Sequence, residues 1–147
     1  MRSDKETTPR YLNTLPDDAY LLHRSLYTMR WSDMDAFGHV NNAMYFTYFE
    51  QARVDWLDSI NVQHGLVLAN ISSTFIQPLK YPAELEVRLH AGPPGCSSLD
   101  TYYEVYDRAE AGVLCAIAHG TIVWYDHATG QSREIPGEVR EHLMNRQ

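Results

Sequence analysis

Between Asn42 and Ser59 the chain places Tyr45, Tyr48, Phe49, Ala52 and Trp56 at the spacing of one face of an α-helix. Phe46 and Leu57 widen that apolar arc. An arc so broad predicts a helix covered on most of its sides, not one lying on an outer surface. The rest of the chain must then be built around this one rod. Residues 22–32 alternate as a strand does, with Tyr27, Met29 and Trp31 on one face. After the helix, residues 65–79, 84–91, 97–107 and 112–126 each read as strands rich in branched and aromatic side chains. "KYPA", "GPPG" and "RAEA" separate them. "DHATGQ" reads as a turn, and residues 137–147 as a short helix following Pro136.

This order of strand, long helix and four strands predicts an α+β fold. Short connections between successive strands favour antiparallel neighbours. A single antiparallel sheet wrapped around one long central helix would bury that helix efficiently. The open edge of such a sheet would invite pairing with a second copy. A chain of 147 residues, 44% hydrophobic and 21% charged, suits one globular domain. The polar start "MRSDKETTPR" has no apolar signal core behind it. Residues 1–20 therefore read as a flexible lead-in, residues 21–147 as the domain, and the protein as cytoplasmic.

Several function classes are disfavoured. A net charge of −7 argues against a nucleic-acid partner held by a broad basic field. No apolar run approaches the ~18 residues of a membrane span. Cys96 and Cys115 fit neither a zinc knuckle nor a redox pair, and read as free thiols. The seven histidines are scattered, with no pair at the short spacing of a helical metal site. No metal and no cofactor are expected.

The chemistry concentrates where the helix begins, in "WSDMDAFGHVNNAMYFTYFEQAR", residues 31–53. The first amides of a helix have no partner within it and lie at the positive end of its dipole. Either Asn41 or Asn42 can cap that end. A carbonyl placed there would find donors for a developing oxyanion, each typically contributing ~3 kcal/mol to transition-state stabilisation. Asp35 lies just upstream, on the loop that enters the helix. It can attack an activated acyl carbon or deprotonate a water that does so. It can equally be a cap or a solvated loop residue. Gly38 permits a turn and a close backbone approach.

The string "DMDAFGHVNNAMYFTYFEQAR" resembles the signature of the hotdog-fold acyl-CoA thioesterases, in the 4-hydroxybenzoyl-CoA thioesterase-like branch. The similarity runs through residues 22–135 and includes "FIQPLKYPAELEV" and "CSSL". The resemblance implies hydrolysis of an acyl-CoA to a free acid and coenzyme A. It places the catalytic aspartate at Asp35 and the amide that polarises the thioester carbonyl at Asn42. Gly38, His39, Val40 and Asn41 match the loop that shapes the acyl and pantetheine path. It further implies homodimers, and tetramers built from them, with sites at the subunit interface. Strand residues of a partner subunit often help to bind coenzyme A there, which makes Ser97 and Ser98 candidates.

Other residues carry a plain reading beside a functional one. Asp33 reads as a loop hydrogen-bonding residue. His39 reads as a tie to loop backbone groups or as a contact to the thioester. Glu50 and Arg53 read as a structural ion pair, although a related branch places its catalytic glutamate on this helix. Tyr45, Tyr48, Phe49 and Trp56 read as core, with Tyr45 a candidate for the acyl pocket. Asn70, on a strand among apolar neighbours, reads as a buried amide in need of partners. Two further functions compete: a non-catalytic acyl-CoA-binding domain, and hydrolysis of acyl groups on acyl carrier protein. An enoyl-CoA hydratase is less well matched, because that pattern puts its histidine five residues after the aspartate with a proline between, and here Asp35 and His39 are four apart.

Overall fold

The computed structural model describes residues 11–62, 65–110 and 112–145. Strand β1 spans Tyr20–Thr28, helix α1 Asn42–Ser59, β2 Leu66–Phe75, β3 Glu84–Ala91, β4 Ser98–Asp107, β5 Val113–Asp126, β6 Gln131–Ser132 and helix α2 Gly137–Met144. The sheet runs β1-β3-β4-β5-β2, with β6 paired to β5. Every pairing is antiparallel. β1 and β2 are its two edges among the described residues.

One face of the sheet turns to α1 and forms the core. Leu85, Val87 and Leu89 of β3, Leu99, Tyr103 and Val105 of β4, and Ala116, Ala118, Ile122 and Trp124 of β5 are all buried there. From α1 come Tyr45, Tyr48, Phe49, Ala52, Trp56 and Leu57. Each large apolar side chain removed from water contributes roughly 1.5–3 kcal/mol. Beneath the helix runs one buried polar chain. Arg53 donates to the Tyr103 hydroxyl at 3.1 Å, Tyr103 meets the Thr101 hydroxyl at 2.9 Å, and Thr101 donates to the Gly120 carbonyl at 2.7 Å. Helix α2 packs Val139 and Leu143 into the far end of the core. Its Arg140 donates to the Gly95 carbonyl at 2.6 Å.

Several expectations change. The first strand stops at Thr28 and does not run on to residue 32. Residues Trp31–Asp33 form a 3₁₀ turn, because Asp33 gathers both the backbone N–H and the guanidinium of Arg30. Trp31 therefore leaves the strand face and is 69% exposed. The second long strand ends at Phe75, and Gln77 and Pro78 line a cavity. The helix is not covered on most sides within one chain: Phe46, Thr47, Glu50 and Gln51 stay exposed. Glu50 makes no ion pair with Arg53, because Arg53 turns inward to Tyr103. Asn70 is exposed on edge strand β2, so its amide needs no buried partner. The short β6 lies where only a turn was expected. The lead-in splits: residues 1–10 lie outside the described set, and in residues 11–19 the Leu12 carbonyl accepts from Thr74 of β2 at 2.5 Å.

Candidate active site

Asn41 caps α1, its side chain accepting from the Ala43 amide at 3.1 Å. The choice between Asn41 and Asn42 is thereby resolved in favour of Asn41. Its own backbone N–H is anchored to the Asp33 carbonyl at 2.8 Å. The Asn42 N–H has no hydrogen-bond partner among the described residues. It stands at the first turn of the helix, where donors point outward along the axis.

The loop before the helix is stitched to the β2–β3 connection through main-chain groups. The Val40 amide donates to the Leu79 carbonyl at 2.8 Å, and the Tyr81 amide to the Gly38 carbonyl at 2.8 Å. His39 and Lys80 face each other as an isolated β-bridge. Within the loop the Asp35 N–H donates to the His39 carbonyl at 2.6 Å. The Asp35 carboxylate folds the loop around itself: Oδ1 accepts from the Phe37 amide at 2.8 Å and the His39 amide at 3.1 Å. Its Oδ2 has no hydrogen bond among the described residues. One carboxylate thus serves as a loop cap with one oxygen and leaves the other free.

Loop and helix converge on a cavity of about 230 Å³. Asp35, His39, Val40, Asn42 and Tyr45 line one side of it. Phe75, Ile76, Gln77 and Pro78, from the end of β2, line the other. The Tyr45 ring is held against Phe75 at 5.2 Å between centroids. Burial pushes the Tyr45 phenol pKa up, so it stays protonated. Below the loop, Asp33 is buried and fully engaged, with the Tyr48 hydroxyl donating to Oδ2 at 2.7 Å. That is the loop-bonding role its spacing suggested.

The other candidates fall outside this cavity. Gly38 does not line it, and a Cβ there would meet nothing within 4 Å. Its glycine is required instead by φ of +79°, which L side chains rarely adopt. The Asn41 side chain is spent on the cap. Glu50 lies two turns further along α1, in an open groove with Arg53, Val54, Leu57, Leu66 and Leu68. Ser97 and Ser98 sit at the opposite end of the sheet. Phe75 pairs with Ala116, which pairs with Val105, and Ser98 is seven residues up β4 from there. At about 3.3 Å per residue that is roughly 23 Å. Phe75, Ile76, Gln77 and Pro78 are wall residues that strand-pattern reading missed; their signal was the stretch "FIQPLKYPAELEV", quoted for the resemblance but not assigned to the site. Among the described residues, no three His, Cys, Asp or Glu side chains gather as a metal site. No helix among them is long and apolar enough to cross a membrane.

The chain as a whole is similar to several known proteins. The PA2801 protein of Pseudomonas aeruginosa superposes with a TM-score of 0.80 at 32% identity, covering 84% of this chain and 99% of that one. A Thermus thermophilus thioesterase, solved with coenzyme A and zinc, superposes with a TM-score of 0.69 at 28% identity, covering 82% and 95%. The chloroplastic acyl-acyl carrier protein thioesterase ATL2 of Arabidopsis thaliana is 26% identical over 131 residues, covering 82% of this chain and 68% of that one. The sheet and helix are those of the hotdog fold. A profile of the thioesterase-like superfamily matches residues 29–143, and the chain belongs to that superfamily as a thioester hydrolase.

Proposed function

We propose that this hydrolase acts on an acyl-CoA, releasing a free carboxylic acid and coenzyme A, with Asp35 as the reacting carboxylate. One observation carries the reading: the free oxygen of Asp35 and the unpaired N–H of Asn42 belong to residues lining one cavity at a helix N-terminus. The thioester carbonyl takes the Asn42 N–H. Asp35 then follows one of two routes. As base, it removes a proton from water while the oxygen attacks the carbonyl carbon. The tetrahedral oxyanion rests on the helix end and collapses, and the departing thiolate regains a proton. As nucleophile, it forms an acyl anhydride and expels the thiolate, and water then cleaves the anhydride. His39 contributes mainly by fixing the loop, and Glu50 is left outside the chemistry. The cavity is smaller than the ~300 Å³ lower end of ordinary ligand pockets. It suits the thioester and the first few atoms of the acyl group.

The working unit in this reading is a cytoplasmic homodimer, and tetramers form from it. The open β2 edge and the exposed side of α1, with Phe46 and Leu68, support such a pairing. Ser97 and Ser98 enter a site in this reading only from a second copy. A second reading puts the acyl group on acyl carrier protein, favoured by the similarity to the Arabidopsis enzyme. Release of free thiol from acyl-CoAs and from acyl carrier protein thioesters tests both. Activity on acyl-CoA that survives Asp35→Ala undiminished would overturn the assignment, and faster turnover of the protein-bound substrate would favour the second reading.

A further inference from the structure

Tyr45 is 2% exposed, and three aromatic neighbours hold its ring. Its hydroxyl nevertheless has no hydrogen-bond partner among the described residues. The hydroxyl keeps some access to solvent. The residue lines the cavity, so the phenol meets cavity space and not packed protein. Leaving such a group unpaired when an apolar ligand displaces water is costly. A neighbouring position shows the contrast: Tyr48, one turn away, spends its hydroxyl on Asp33.

Position on the helix places the phenol close to the candidate carbonyl site. Tyr45 is three residues after Asn42, about 4.5 Å along the axis and on the same face. Helical side chains lean toward the N-terminus. Tyr45 and Asn42 thus line the same cavity from one helix face, and the Tyr45 ring packs against the wall residue Phe75. The hydroxyl remains protonated and a donor, because burial pushes its pKa up.

We propose that the Tyr45 hydroxyl is a specificity determinant that selects acyl groups bearing an oxygen within a few carbons of the thioester over plain hydrocarbon acyl groups. The inference rests on the hydrolytic reading above. An acyl hydroxyl or keto oxygen accepts the phenol's hydrogen. A methylene in its place leaves the donor unsatisfied in an apolar wall.

The test compares butyryl-CoA with 3-hydroxybutyryl-CoA and 4-hydroxybutyryl-CoA in wild type and Tyr45→Phe. Wild type is expected to favour one oxygenated substrate by about tenfold in kcat/KM, the ratio that one ~1.4 kcal/mol hydrogen bond sets. In Tyr45→Phe the ratio falls to within about twofold. The phenol bonds nothing among the described residues, so thermal unfolding of the variant stays close to wild type. An unchanged ratio in the variant, or no preference in wild type, overturns the inference while leaving hydrolysis intact. If wild type releases no thiol from any substrate, the hydrolytic reading fails instead. The same pairs are then compared by calorimetric binding, where equal affinities in wild type overturn the inference.

Discussion

The phenol of Tyr48 donates to the carboxylate of Asp33 at 2.7 Å inside the fold, joining the start of the loop to the second turn of α1. Asp33 also accepts the Arg30 amide at 3.0 Å. Burial pushes the Asp33 carboxyl up in pKa, and the bonds from Arg30 and Tyr48 outweigh that, leaving it below the usual carboxylate range. A lowered folded-state pKa contributes stability above the unfolded value of ~3.9, and that stability is lost as pH falls through the folded value. Asp33→Asn should therefore destabilise the fold by about 1–3 kcal/mol at neutral pH. Urea unfolding should show the gap to wild type narrowing toward pH 3.

Asp35 separates cap from chemistry. Asp35→Asn keeps an oxygen for the Phe37 and His39 amides but removes the charge. Under the proposed role it should lower kcat by roughly 10²–10⁴-fold with less than about 0.5 kcal/mol lost in stability. Asp35→Ala should lose both, the stability by about 1–2 kcal/mol. Steady-state thiol release and chemical denaturation of both variants give the comparison.

Asn41 caps the helix start that carries the proposed Asn42 donor. Asn41→Ala removes the acceptor for Ala43 and should cost about 1 kcal/mol of stability. Because the Asn42 amide then loses its fixed direction, kcat should fall with little change in KM. Asn41→Ser should recover most of both, since serine caps comparably. Circular dichroism melts and kinetics on one acyl-CoA check the pair.

His90 should set an acid-side weakness. Its ring lies 3.6 Å from Glu104 on the sheet face turned away from α1, with Arg24 and Arg88 also acting on it. Burial pushes its pKa down, against the pull of Glu104. The folded state therefore holds it neutral, and the unfolded chain binds a proton first. Stability from this site is complete above ~6.5 and declines as pH falls toward the folded value. The melting temperature of wild type should drop more between pH 7 and pH 5.5 than that of His90→Gln.

What could be read from the residues followed the range of the interactions. The helix from Asn42 to Ser59 was legible because its stripe and its cap are local. β3 was legible for the same reason, as an alternating run closed by turns. Arg53 was misread because its partner, Tyr103, lies 50 residues away and no local spacing announces it. Glu50 and Arg53 do sit at ion-pair spacing, but a buried hydroxyl captured the guanidinium. The end of β1 was misplaced because Trp31 continues the alternation while Asp33 folds the chain away. Of the residues that line the cavity, Asp35, Asn42 and Tyr45 are singled out in the sequence as candidates around the helix start. Phe75–Pro78 came from the far edge of the sheet and were visible only once the strands had been assembled.

The stitches that hold the loop to the β2–β3 connection are peptide groups, Val40 on Leu79 and Tyr81 on Gly38, and a third, Asp35 on His39, closes the loop itself. Peptide groups are common to nearly every residue type, so these links do not depend on the side chain of half-buried His39, whereas Val40 is buried in the core. The lining of the cavity at position 39 can therefore be rewritten by single replacements, generation after generation or in a saturation library, without dismantling the frame that holds Asp35.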